Sequence, residues 1–147
     1  MSEPQAAALL KPGDLRKIAD EIEMAKAKEA LEQRQKEEKE HSKLRQAFME
    51  RDLGPEALER FNNAVRRAAE QGLSEIEILR FPSEYCTDHG RAINNFEEGW
   101  PETLTGFARK VYEGYYRHLE PSGYKMRAAI LNYPDGQLGE VGLYIGW

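Results

Sequence analysis

From Asp14 to Asp52 the chain contains neither glycine nor proline, and Ala, Glu, Lys, Gln, Arg and Leu fill most positions. Such residues lose little freedom on entering a helix, and nothing in the stretch would end one. What the stretch lacks is the material for a core. Leu15, Ile18, Ile22 and Ala25 recur at 3-4-3 spacing and Leu44, Ala47 and Phe48 form a second short apolar set, but Glu32 to Lys43 between them is almost wholly polar. A sustained coiled coil needs three or four uninterrupted apolar heptads. The expectation is therefore an extended charged helix over 14–52, capped by Asp14 and starting at Leu15, that pairs as a short coiled coil with a partner or a second copy through its apolar ends. Pairs such as Lys28 with Glu32 and Glu32 with Lys36 add only about 0.2–0.5 kcal/mol each to its polar middle. The alternative is a charged, partly disordered tail.

A first third without a core pushes the fold into the rest. Thirteen of the 14 aromatic residues follow position 52, with Phe48 the exception. At 147 residues the chain suits one domain plus an extension. The expected organisation is a flexible N-terminus (1–13), the charged helix (14–52) and a compact α+β domain (53–147).

Charge excludes one class of partner. The net charge is −5, and a division at Asp52 leaves 11 basic and 12 acidic residues before it and 10 and 14 after it. Neither part is the basic arm a nucleic-acid binder would carry. The single cysteine, Cys86, rules out an intrachain disulfide and suits a reducing compartment. The one apolar run near the start, Ala6 to Leu10, is short of a signal-peptide core or a membrane span. A soluble cytoplasmic protein is expected, with no membrane and no nucleic acid among its partners.

Within 53–147 the signals alternate. Gly54-Pro55-Glu56 opens a helix whose stripe is Leu58, Phe61, Val65 and Ala68, and Gly72 stops it. Ile76, Ile78, Leu79 and Phe81 crowd into a strand expected to be buried on both faces, ended by Pro82. An irregular polar stretch follows. Trp100-Pro101-Glu102 repeats the helix-start signal, and Leu104, Phe107, Ala108, Val111, Tyr112, Tyr115 and Leu119 give a broad stripe up to Pro121 and Gly123. Tyr124 to Tyr133 reads as a strand, Pro134 to Gly139 as a turn, and Glu140 to Trp147 as a partner strand of strict period two. This order predicts helices packed on a small, partly antiparallel sheet. Gly142 and Gly146 share a face with Tyr144, so the last strand is expected to be an interface or an exposed edge that another backbone can approach.

Candidate chemistry gathers between Pro82 and Phe96, where Cys86, Asp88, His89, Arg91, Asn94 and Asn95 stand close together in sequence. A nucleophilic Cys86 would need a base such as His89 to lower its pKa, but no nucleophile elbow or oxyanion loop accompanies the pair. Zinc at Cys86, Asp88 and His89, with His118 or His41 brought in, lacks a second ligand pair. Asp88-His89-Gly90 reads more simply as a turn. The expected site is thus a polar-ligand or anion-binding loop, set against the reading in which these groups satisfy one another and the backbone. No catalytic residue, metal site or cofactor motif is predicted, since neither GxxxxGK[ST] nor GxGxxG occurs. Tyr112, Tyr115 and Tyr116 are read as core packing rather than a stacking platform. These signals predict a non-enzymatic interaction or regulatory module acting on a protein partner or as a homo-oligomer. The alternative is a small enzyme or ligand-binding protein using Cys86 to Asn95.

Overall fold

The computed structural model describes residues 8–147, so part of the N-terminal segment expected to be flexible, residues 1–7, lies outside the described residues. The chain forms two compact units, one ending at Leu44 and one spanning Arg45–Trp147. Among the described residues no helix is long and apolar enough to cross a membrane.

Helix α1 runs Pro12–Glu50. It begins earlier than Asp14 suggested, because Asp14 is not the cap. The Asp14 carboxylate reaches back to accept from the Lys11 N–H at 3.0 Å, as the third residue of a capping box does, and Pro12 takes the first helical position, where its missing donor costs nothing. No residue of α1 is buried. In its polar middle the Gln33 amide donates to Glu37 at 3.0 Å, one turn on.

The second unit starts at Arg45 rather than Leu53, and Phe48 is the reason. Its ring lies 4.8 Å from that of Tyr85, 5.5 Å from Phe81 and 6.3 Å from Phe107. The aromatic residue that stood apart in the sequence is therefore part of the core. Gly106 allows the approach: at φ 53, a Cβ on it would lie 2.8 Å from the Cα of Met49.

Helix α2 (Ala57–Glu70) follows, and Gly72 at φ 79 ends it as expected. Three strands, β1 (Glu75–Pro82), β2 (Lys125–Ile130) and β3 (Glu140–Gly146), form a wholly antiparallel sheet in the order β1-β3-β2. The C-terminal strand is thus central and paired on both sides, not an edge. Its glycine face is not open either. A Cβ on Gly142 would meet the Tyr144 ring at 2.9 Å and Leu131 at 3.0 Å, so the sheet's own side chains cover the bare position.

β1 departs from the expectation of burial on both faces. Ile76 pairs with Ile145, Leu79 with Leu143 and Phe81 with Val141, while Glu77 and Arg80 oppose Tyr144 and Gly142 on the other face. A bulge between Glu77 and Leu79 absorbs Ile78 and keeps the apolar set on one side despite its uneven spacing. As an edge strand β1 is only half covered: Phe81 is buried, but Ile76, Ile78 and Leu79 are not. Its outer face is ionic. Arg127 lies 4.1 Å above the Tyr144 ring and holds Glu75 with two bonds of 2.6 Å, which lower the Glu75 carboxyl below its ordinary value.

The expected helix from Trp100 to Leu119 is broken in two. Past the short helix α3 (Arg91–Asn94), a 3-10 turn, Trp100–Thr103, gives way to extended Leu104 and Thr105 before helix α4 (Gly106–Gly114), which continues as a π turn, Tyr115–Leu119. The break has a cause in packing. Leu104 turns into the core, and the Thr105 hydroxyl donates to the Tyr85 carbonyl, which a continuous helix would forbid. The buried centre is Phe81, Tyr85, Cys86, Ile93, Leu104, Ala108, Val141 and Leu143.

Candidate functional site

The polar stretch after β1 is held both by bonds to distant segments and by bonds within itself. Ser83 is buried, with its N–H donating to Gly139 at 2.9 Å and its hydroxyl to Leu138 at 2.8 Å, which pins it beneath the β2–β3 connection. A 3-10 turn, Ser83–Tyr85, then inserts Tyr85 and Cys86 into the core. Burial pushes the Cys86 thiol from 9.0 up to about 11, with a hydrogen bond to Thr103 opposing and the Asp88 charge adding to the shift. At neutral pH that group is a protonated, sealed thiol, the reverse of an activated nucleophile.

Asp88 spends both carboxylate oxygens on the chain. One accepts from the Gly90 N–H at 3.0 Å and the other from the Ala92 N–H at 2.8 Å, which caps the short helix α3 (Arg91–Asn94). His89 lies on the exposed side with φ 58, its N–H donating to Cys86. Its ring faces solvent while the thiol faces the core, so the two do not form a catalytic pair. Arg91 and Asn95 are exposed, and the Asn94 side-chain oxygen Oδ1 accepts from the Tyr133 hydroxyl at 2.9 Å. Of the six expected ligand-binding residues, the structure leaves His89, Arg91 and Asn95 facing solvent and gives Cys86, Asp88 and Asn94 partners within the chain. Among the described residues no group of three His, Cys, Asp or Glu side chains is placed to hold a metal ion. His118 lies elsewhere, at the margin of the cleft described next.

Two surface features were not read from the sequence. The first is a cleft of about 610 Å³ between α2, β1 and α4, lined by apolar residues such as Leu53, Leu58, Phe61, Ile78 and Val111, with Arg51, Arg60 and His118 among its polar residues. It exists because α2 is amphipathic yet poorly seated: Phe61 and Val65 are half-buried, and only Ala68 is fully covered. A stripe pattern says which face turns inward but not how closely it is approached. The second is Phe96, 87% exposed and held at φ 55, a backbone region that a bulky residue rarely enters. Neighbouring Asn95 would have been the expected occupant of that conformation.

The tyrosines divide. Tyr115 is buried, with its hydroxyl donating to Tyr124 at 2.9 Å, and Tyr112 meets Trp100 edge-on at 5.9 Å. Tyr116 stacks on Tyr112 at 6.2 Å from the outside. Comparison with known proteins finds no matching family model, no matching curated protein and no matching solved structure.

Proposed function

We propose that this protein is a non-enzymatic cytoplasmic interaction module that self-associates through α1. The observation that carries the reading is the state of that helix. It places Leu15, Ile18 and Ile22 at seam spacing, each with about half of its surface in water (52%, 45% and 52%), and no residue of the helix is buried. A seam of this spacing is the surface that a like helix covers. Glu21 and Lys26 flank the seam on its two sides, an acid and a base that suit pairing with another copy of the same helix. The loop that held the best candidate chemistry has its buried thiol protonated and its capping carboxylate occupied, which favours this reading over a small enzyme.

Sedimentation equilibrium of the full chain against an Ile18→Glu/Ile22→Glu variant tests it. The wild type is expected to form dimers or larger species at about 100 μM. The variant is expected to remain monomeric there, with unchanged tryptophan fluorescence. Identical sedimentation of the two proteins would defeat the reading.

A further inference from the structure

The cleft of the second unit is a trough with three apolar walls. Along α4 and the π turn, Phe107, Val111, Tyr115 and Leu119 recur every four residues and share one side of the helical run, over about 18 Å. Leu58 and Phe61 of α2 form the second wall, and Ile76 and Ile78 of β1 the third. A closed core would cover each of these sets, yet Phe61, Ile76, Ile78 and Val111 are only half-buried. A volume of about 610 Å³ lies within the range of small-molecule sites. The charges along the trough are of both signs, but they are not equally committed. Asp52 accepts from Lys110 at 2.6 Å, Glu77 is held by Arg80 through bonds of 2.8 and 3.0 Å, and Arg60 lies 3.6 Å from Glu56. Arg51 differs: among the described residues it meets no carboxylate, and its guanidinium carbon lies 4.0 Å from the centre of the Phe107 ring. Stacking engages the flat face of a guanidinium and leaves the N–H groups at its edge free to donate. His118 stands about three turns further along the helical run, so Arg51 marks one end of the trough.

We propose that this cleft is a binding site for a medium-chain aliphatic carboxylate, with the carboxylate taken by the edge of the Arg51 guanidinium and the chain laid along Phe107, Val111 and Leu119. The proposal stands apart from pairing through α1. A planar fork of donors matches a carboxylate with two parallel bonds, and the apolar walls remove the chain from water. Asp52 and Glu77 each keep a cation at contact distance, so they do not repel the head as free carboxylates would. The two contacts are separable by ligand chemistry. An aliphatic alcohol keeps the chain and loses the charged head, whereas acetate keeps the head and loses the chain.

The test uses the full chain carrying Ile18→Glu/Ile22→Glu, so that an aliphatic probe does not bind the apolar seam of α1, with decanoate, decanol and acetate titrated in by calorimetry at neutral pH. Decanoate is expected to bind one site per chain with a Kd below about 100 μM, and acetate not to bind measurably at about 1 mM. Arg51→Gln in this parent is expected to weaken decanoate by about tenfold or more and to leave decanol unchanged, since only the head contact is lost. Leu58→Glu, which puts an acid on an apolar wall, is expected to weaken both. Arg51 and Leu58 are exposed, and unchanged tryptophan fluorescence checks that both variants fold. Decanoate that fails to saturate the parent by about 1 mM would overturn the proposal. So would an Arg51→Gln protein that binds decanoate like the parent or loses decanol to the same extent, or a Leu58→Glu protein that binds decanoate as tightly as the parent.

Discussion

Replacing Phe48 with alanine tests where the folded body begins. The ring is half-buried and stands within 4.8–6.3 Å of Phe81, Tyr85 and Phe107. A fully buried Phe→Ala change costs about 3–5 kcal/mol, and each aromatic pair adds about 0.5–1.5 kcal/mol beyond the area it buries. With part of the ring already solvated, a loss of about 2–4 kcal/mol is expected, a large share of the roughly 5–15 kcal/mol available to a domain. In urea this lowers the unfolding midpoint by about 1–2 M at an ordinary slope. Trp100 and Trp147 both lie in the second unit, so their fluorescence reports on it without interference from melting of α1. Leu44→Ala is the control: Leu44 is 67% exposed, and the change should cost less than about 0.5 kcal/mol. If Phe48→Ala cost no more than Leu44→Ala, Phe48 would stand outside the core and the body would begin at Leu53 after all.

Gly106→Ala is expected to destabilise the second unit by about 2–4 kcal/mol in the same assay, since the added Cβ meets the Met49 backbone at 2.8 Å and the site has positive φ; a loss below about 1 kcal/mol would contradict the close approach. Asp88→Ala removes the acceptor of two backbone N–H groups and should cost about 1–2 kcal/mol, whereas an unchanged midpoint would mean the α3 cap contributes nothing. Cys86 should resist a thiol reagent at pH 8 in the native protein and react at once in urea; rapid native labelling would refute its burial. Because its folded pKa of about 11 lies above the ordinary 9.0, stability is full below pH 9 and falls as pH rises towards 11, by up to about 2 kcal/mol. Cys86→Ala should flatten that fall.

The cluster Cys86 to Asn95 shows how far sequence reasoning reaches. Residue types alone suggested a gathering of reactive groups, and the turn at Asp88-His89-Gly90 was legible from its chemistry. Whether the groups converge depends on which of them the core claims. Cys86 went inward because Tyr85 beside it packs on Phe48, a residue distant in sequence. Asp88 was committed to capping once α3 formed behind it. In the same way the uneven apolar spacing of Ile76, Ile78, Leu79 and Phe81 resembled a strand buried on both sides, and a bulge resolved it into one inward face.

The sequence alone determined the local elements: helix composition without breakers gave α1, Gly72 and Gly123 set helix ends, and period-two alternation gave β3. These are short-range choices, made within a few residues by propensity, sterics and hydrogen-bond geometry. Only the tertiary structure decided that β3 lies between β1 and β2, that Leu104 and Thr105 break the expected long helix, that Phe48 joins the core and that α2 leaves a cleft beneath it. Each of those outcomes depends on how closely distant segments approach, and no residue's own type or spacing encodes the partner it will meet.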